Sequence, residues 1–280
     1  MKYVIFSKGL HATWLLDKAH GNLYDCGEGC GTLLGYQIFC VDRICLSHSH
    51  MDHIAGLPAF IGLRNATKGA NNKPLVIYYP EGNLRIEDWI NFSLKINGRL
   101  KYSLTCQPLR PWDQIPIFQG SQEKRYIEAF PVQHAREQCF GYRVLSVTKG
   151  LKFEFRDRGK EYYASLTPEQ KAAIMEDRSV NKVLFSGDGM PLDSGSDSPL
   201  HCAETAFLDT TFISSQDREG FNHGSLEEVA EACRNNHVKV AYAMHVSIRY
   251  QNDEIQKKLS EVAQVFPMRL IPNDRVVCLN

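Results

Sequence analysis

Three histidines and one carboxylate fall within six residues of this chain: His48, His50, Asp52 and His53, inside the stretch from Asp42 to Gly56. Neutral imidazole and carboxylate together suit a borderline metal ion, zinc first, with iron or manganese compatible. His48 and His50 can turn toward one point, while a backbone reversal lets Asp52 and His53 face a second point a few ångströms away. That is an arrangement for two metal ions. The competing accounts are a surface loop rich in histidine by chance, or a single structural zinc. Against them stand three of the chain's ten histidines in so short a stretch, and suitable partners downstream.

The elements that must carry these residues can be read on either side. Ile44, Cys45 and Leu46 end a short buried strand, and Ile54, Leu57, Phe60, Ile61 and Leu63 recur at helical spacing, so the cluster lies at a strand-to-helix junction. Upstream, residues 3–6, 12–16 and 22–25 read as three short strands separated by Lys8-Gly9 and His20-Gly21, the opening of a β-meander. Asp25 to Gly31 is a glycine-rich turn before a short helix over 33–39. Asp25 and Glu28 are suited there to capping or to supporting the ligands rather than ligating.

Downstream, polar residues recur at strand ends. The run 73–79 has the apolar character of a parallel strand, and Leu84, Trp89, Ile90 and Leu94 mark a helix. Strands are expected at 101–106 and 124–132, the second delivering His134, with a further strand from Cys139. The segment 149–180 interleaves Lys149, Lys152, Arg156, Arg158 and Lys160 with Phe153, Phe155, Tyr162 and Tyr163, which suits phosphates and bases; Glu154, Asp157 and Glu161 dilute the charge, so a solvated hairpin fits equally. Thr167, Pro168 and Gln170 then predict a capped helix through about Glu176. The run 182–189 reads as a strand delivering Asp188 into a glycine-flanked turn, a second strand over 204–209 ends in acids, residues 222–228 cap a helix through Cys233, and a strand over 238–243 presents His245. Open α/β sheets put their sites at such strand ends.

With 280 residues, 43% apolar and 23% charged, the chain can bury a large α/β core. Thirty-two basic residues balance thirty-two acidic ones, which neither supports nor excludes a nucleic-acid partner. Nine scattered cysteines without CxxC spacing read as buried free thiols in a reducing cytoplasm, with Cys26 and Cys30 the one close pair. No signal peptide and no membrane span is indicated.

Together, His48, His50, Asp52, His53, His134, Asp188 and His245 resemble the complete ligand series of the metallo-β-lactamase fold, in the expected chain order. The flanking residues look like the tRNase Z group of 3′-tRNA-processing endonucleases: Asp25 to Gly29 matches its DCGEG, Gly56-Leu57-Pro58 follows the metal loop, and His245 to Tyr250 matches its HxSxRY. Glu204 to Phe207, followed by His223, parallels that group's E-A-T-F strand and histidine-led helix. The resemblance implies an αββα sandwich of α/β class, one domain over residues 1–280 with a variable insertion at about 149–180. It implies two zinc ions, one on His48, His50 and His134, the other on Asp52, His53 and His245, with Asp188 bridging. Two such ions acidify a shared water and steady an in-line displacement at phosphorus. Asp52 would take the proton of that water, His223, oriented by Glu204, would protonate the leaving oxygen, and Arg249 would hold a phosphate. The resemblance also implies a precursor tRNA substrate and a cytoplasmic homodimer.

The departures are specific. Phe6 to Thr13 lacks the group's substrate loop, Gly189 stands where threonine is usual, and 149–180 is no glycine-proline-rich arm. A fold-mate acting on a small phosphodiester or another ester is therefore the alternative, with 149–180 as a lid. A binding protein without metals is the third reading, and seven intact ligand positions argue against it.

Overall fold

Alternation of side chains decides the architecture. In β1 (Tyr3–Lys8), Tyr3 and Ile5 belong to one apolar core and Val4 to another. In β2 (Ala12–Asp17), Leu15 takes the first side, Trp14 and Leu16 the second. Strands apolar on both faces must be covered on both faces. The computed structural model describes residues 2–67, 73–218, 220 and 222–280. It places β1 and β2 with β3 (Asn22–Tyr24) as the expected antiparallel meander. β4 (Arg43–Cys45), β5 (Leu75–Pro80) and β6 (Leu104–Leu109) then extend it in parallel. The second sheet holds β7 (Gln114–Gln119), β8 (Glu123–His134), β9 (Glu137–Leu151), β10 (Met175–Phe185), β11 (Ala206–Asp209), β12 (Ala241–Met244) and β13 (Met268–Leu270), neighbours in chain order. β14 (Val277–Leu279) returns to pair with β1 on the first sheet.

Tyr24, Tyr142, Phe185, Phe207 and Met244 fill the space between the sheets. Outside the first sheet lie α1 (Cys30–Leu34), the one-turn α2 (Met51–Ile54), α3 (Leu57–Ala66) and α4 (Leu84–Asn97). The hairpin of β9 and β10 carries α5 (Lys160–Ser165) and α6 (Pro168–Ala173) at its tip, and α7 (Leu226–Asn235) with α8 (Asn252–Val262) covers the second sheet. Helix, sheet, sheet, helix is the αββα sandwich of the metallo-β-lactamase fold.

Local departures from the sequence reading have local causes. The helix expected over 33–39 is α1 followed by a 3-10 turn over Gly35–Cys40, because Gly35 takes φ 54° and breaks the α geometry. α6 has the expected capping box of Thr167 and Gln170, yet ends at Ala173, since Met175 is already paired with Leu151 across the β9–β10 ladder. All nine cysteines are free; Cys26, Cys30, Cys45, Cys139 and Cys233 are buried as expected, whereas Cys40, Cys106, Cys202 and Cys278 are exposed. No helix among the described residues is long and apolar enough to cross a membrane.

Candidate metal centre

β4 ends at Cys45, and the following turn is pinned between the sheets. Ser47 donates its backbone N–H to Asp25 Oδ1 at 2.7 Å, and its carbonyl accepts from Phe140 N of β9 at 3.0 Å. His50 then caps α2, whose single turn carries Asp52 and His53. So short a helix is not stable alone, and two contacts hold it: Trp89 of α4 donates to Ile54 O at 2.7 Å, and Cys26 N donates to His53 O at 2.7 Å. The turn of Asp25 to Gly29 passes directly beneath. A Cβ on Gly27 would sit 2.2 Å from Asp52 O, and one on Gly56 2.1 Å from Gly27 O, so both positions require glycine.

Two groups of side chains meet at the carboxyl ends of strands from both sheets. His48, His50, His134 and Asp188 form one, Asp52, His53, Asp188 and His245 the other; within each, ligand atoms lie within 4.8 Å of one another. His50 Nδ1 is 3.0 Å from His48 Nε2 and 3.3 Å from His134 Nε2. Asp188 Oδ2 stands between the groups, 3.1 Å from His53 Nε2, 3.4 Å from His245 Nε2 and 3.8 Å from His48 Nε2. All seven residues expected as ligands are thus brought together, with Asp188 shared.

The other ring nitrogens are held from behind. His48 Nδ1 meets Ser47 Oγ at 2.9 Å, His53 Nδ1 meets Asp25 Oδ2 at 2.6 Å, His134 Nδ1 donates to Asn222 O at 2.5 Å, and His245 Nδ1 meets Thr211 Oγ1 at 2.9 Å. Such partners fix the ring and its tautomer around metals. Asp25 thus stands behind His53, one of the residues expected as ligands, and outside both ligand groups. Asp25 and His245 also take left-handed backbone, φ 56° and 62°, strain that persists only where surroundings enforce it.

Divalent metal fits these residues. His53 Nε2 and Asp188 Oδ1 are buried without a hydrogen-bond partner among the described residues, a costly condition that coordination relieves. Burial, followed by the charge of His53, pushes His48 well below its ordinary pKa, toward the neutral form that ligates. Burial disfavours charge on Asp188 too, but His245, His53 and His48 outweigh it and hold the carboxyl well below its usual range.

A third group, Asp188, Asp209, His223 and His245, adjoins these two. His223 Nδ1 lies 2.7 Å from Asp209 Oδ2; burial opposes charge on the ring, and Asp209 overrides it, raising the pKa to about 9. The carboxylate that orients His223 is therefore Asp209, not Glu204. Glu204 precedes β11, pairs with Lys182 at 3.1 Å and Lys239 at 3.2 Å, and lies five residues, about 16 Å of strand, from the end that meets the site. Asp209 also accepts from Gly189 N and from Thr211 N and Oγ1, and Thr211 Oγ1 in turn joins it to His245 Nδ1. The signal for Asp209 was present in the chain: an acid closing an apolar strand.

Asp52 Oδ2 is 3.2 Å from His245 Nε2; burial works against its charge, and this contact lowers its pKa nonetheless. Arg249 does not touch the metal groups. It lies 5.3 Å over the ring of Phe212, whose edge meets His223, and its Nε reaches Ser247 Oγ at 3.3 Å, leaving it exposed at the rim. At Gly189 a Cβ would stand 2.3 Å from Val132 Cγ1, so threonine does not fit this backbone as it lies.

Residues 32–246 match the beta-lactamase superfamily domain. Ribonuclease BN of Citrobacter koseri is 28% identical over 290 residues, covering 91% of this chain and 88% of that protein, and Ribonuclease BN of Escherichia coli gives the same figures. Among solved structures, human tRNase Z, short form, superposes with a TM-score of 0.64 at 18% identity over 99% of both chains. The metallo-β-lactamase fold protein YhfI of Bacillus subtilis gives 0.62 at 15% identity over 98% and 99%. The matched domain spans most of the chain and includes both histidine–aspartate groups: the chain belongs to the beta-lactamase superfamily, as a metal-dependent hydrolase of metallo-β-lactamase fold.

Proposed function

We propose that the protein is a two-zinc phosphodiesterase that cleaves precursor tRNA at its 3′ end. The observation that carries this reading is the convergence of two ligand groups on one shared carboxylate, Asp188, with the His223–Asp209 pair beside them. The ribonuclease and tRNase Z names of its relatives supply the substrate class. His48, His50 and His134 would hold one ion and Asp52, His53 and His245 the other, with Asp188 between. The ions would supply Lewis acidity toward a phosphate oxygen and a water acidic enough to lose its proton near neutrality.

The chain's own residues do the rest. Asp52, kept ionised by His245, accepts the proton of the attacking water. Asp209 fixes Nδ1 of His223 and leaves Nε2 to keep a proton for the leaving ribose oxygen. Arg249 at the rim meets a phosphate one or more nucleotides away.

The test is cleavage of a 3′-extended precursor tRNA by zinc-loaded protein, with Asp188→Ala beside it. We expect one cut just after the discriminator nucleotide and a loss of about a thousandfold or more in the variant, several kcal/mol of transition-state stabilisation. A second reading, hydrolysis of a small phosphodiester, is favoured by the pairing of charge on the β9–β10 hairpin: Lys149 with Asp177, and Arg156 and Arg178 with Glu176. Zinc-loaded protein that hydrolyses a small chromogenic phosphodiester and leaves precursor tRNA intact would establish that reading and end the first.

A further inference from the structure

The hairpin that delivers His134 delivers an acid with it, Glu137. β8 and β9 are joined by a two-residue turn in which Ala135 takes φ 47°, the left-handed backbone that tight hairpins demand. His134 and Glu137 are therefore directly paired across the ladder, and paired side chains share a face with Cβ atoms about 5 Å apart. While His134 meets His50, Glu137 reaches the metal loop: its Oε2 accepts from Ser49 Oγ at 3.0 Å, and its Oε1 from Arg85 of α4 at 2.8 Å.

Ser49 is buried and separates His48 from His50. Among the described residues, Glu137 is its only side-chain hydrogen-bond partner. His48, His53, His134 and His245 each have their second ring nitrogen held by a neighbour. His50, partly exposed, makes contact only through Nδ1, the nitrogen facing His48 and His134, and nothing among the described residues holds its Nε2. A ring without such support depends on its backbone for aim.

We propose that Glu137 is a positioning residue of the metal centre: through Ser49 it fixes the backbone between His48 and His50, so that both imidazoles meet one ion. Arg85 holds the carboxylate from the far side. The proposal rests on the metal-binding half of the function above and is independent of the RNA substrate.

The test is zinc affinity, read by competition with a chromophoric chelator, for wild type, Glu137→Ala, Ser49→Ala and the double variant. Thermal unfolding of each zinc-free protein is measured beside it. We expect either single change to weaken zinc binding by about 10–100-fold, the range found for partners behind metal ligands. The double variant adds nothing further, and zinc-free unfolding stays where wild type has it. Glu137→Gln, which keeps an acceptor for Ser49, retains most of the affinity. Wild-type affinity in Glu137→Ala, additive losses in the double variant, or a loss matched by lower zinc-free stability would overturn the proposal. A wild-type protein that takes up no zinc would overturn the metal reading and this one with it, an outcome distinct from the others.

Discussion

At the scale of single residues, Asp209 stands behind His223, where the resemblance set Glu204. Glu204 and Asp209 bracket the same short strand, and only the strand's direction decides which one meets His223. Asp209→Asn keeps the shape and removes the charge that holds the His223 proton, so we expect a fall of about 10²–10⁴-fold in the rate of phosphodiester cleavage at unchanged zinc content. Glu204→Gln breaks only two ion pairs at the surface. Its activity should stay within about twofold of wild type and its stability within about 1 kcal/mol, checked by initial rates and thermal unfolding. The seven proposed ligands were legible because four sit in one short stretch and the other three close strands. Of the partners behind them only Asp25 was, since Thr211, Asn222 and Ser47 carry no pattern that distinguishes them from ordinary turn residues.

At the scale of elements, the one-turn helix α2 and the glycine turn under it form a single joint. Their backbones meet closer than any side chain allows, through Gly27 and Gly56. Gly27→Ala should therefore cost about 1–3 kcal/mol of stability, as overpacking does, and should weaken zinc binding because Asp52 and His53 ride on the displaced turn. Denaturant titration and chelator competition read the two effects separately. The strands that are apolar on both faces were readable from composition alone. β7 was not: it is an edge strand carrying Pro116, with Ile115 its one buried residue, so it lacks the alternation that marks a half-buried strand. The outer half of the β9–β10 hairpin was legible only as one of two alternatives, a solvated hairpin within 149–180, because it is half-exposed and charged.

At the scale of the whole molecule, the proposed ligands come from both sheets, so a bound metal would tie fold and site together. Zinc at a hundred times its dissociation constant adds about 2.7 kcal/mol, so chelation should lower the unfolding temperature by roughly 5–10 °C. The wild-type protein should show this shift and Asp188→Ala should show little of it. Acid should act elsewhere as well. Arg125 and Ser146 hold Glu123 at about 2, below its ordinary value of 4.5. A carboxyl with a depressed folded pKa stabilises above its unfolded pKa, and that contribution fades as pH falls from about 4.5 toward 2. Glu123→Gln should flatten the stability profile in that window and leave it unchanged in shape near neutrality, as followed by urea midpoints against pH.

His245 carries one more consequence. Its backbone N–H is held by Ser7 Oγ at 2.8 Å, so the last proposed ligand is seated by the first strand, 238 residues away. No segment made earlier in translation contains both halves of that contact. Until β12 and the residue after it have been made, the second group lacks both His245 and the contact that seats it.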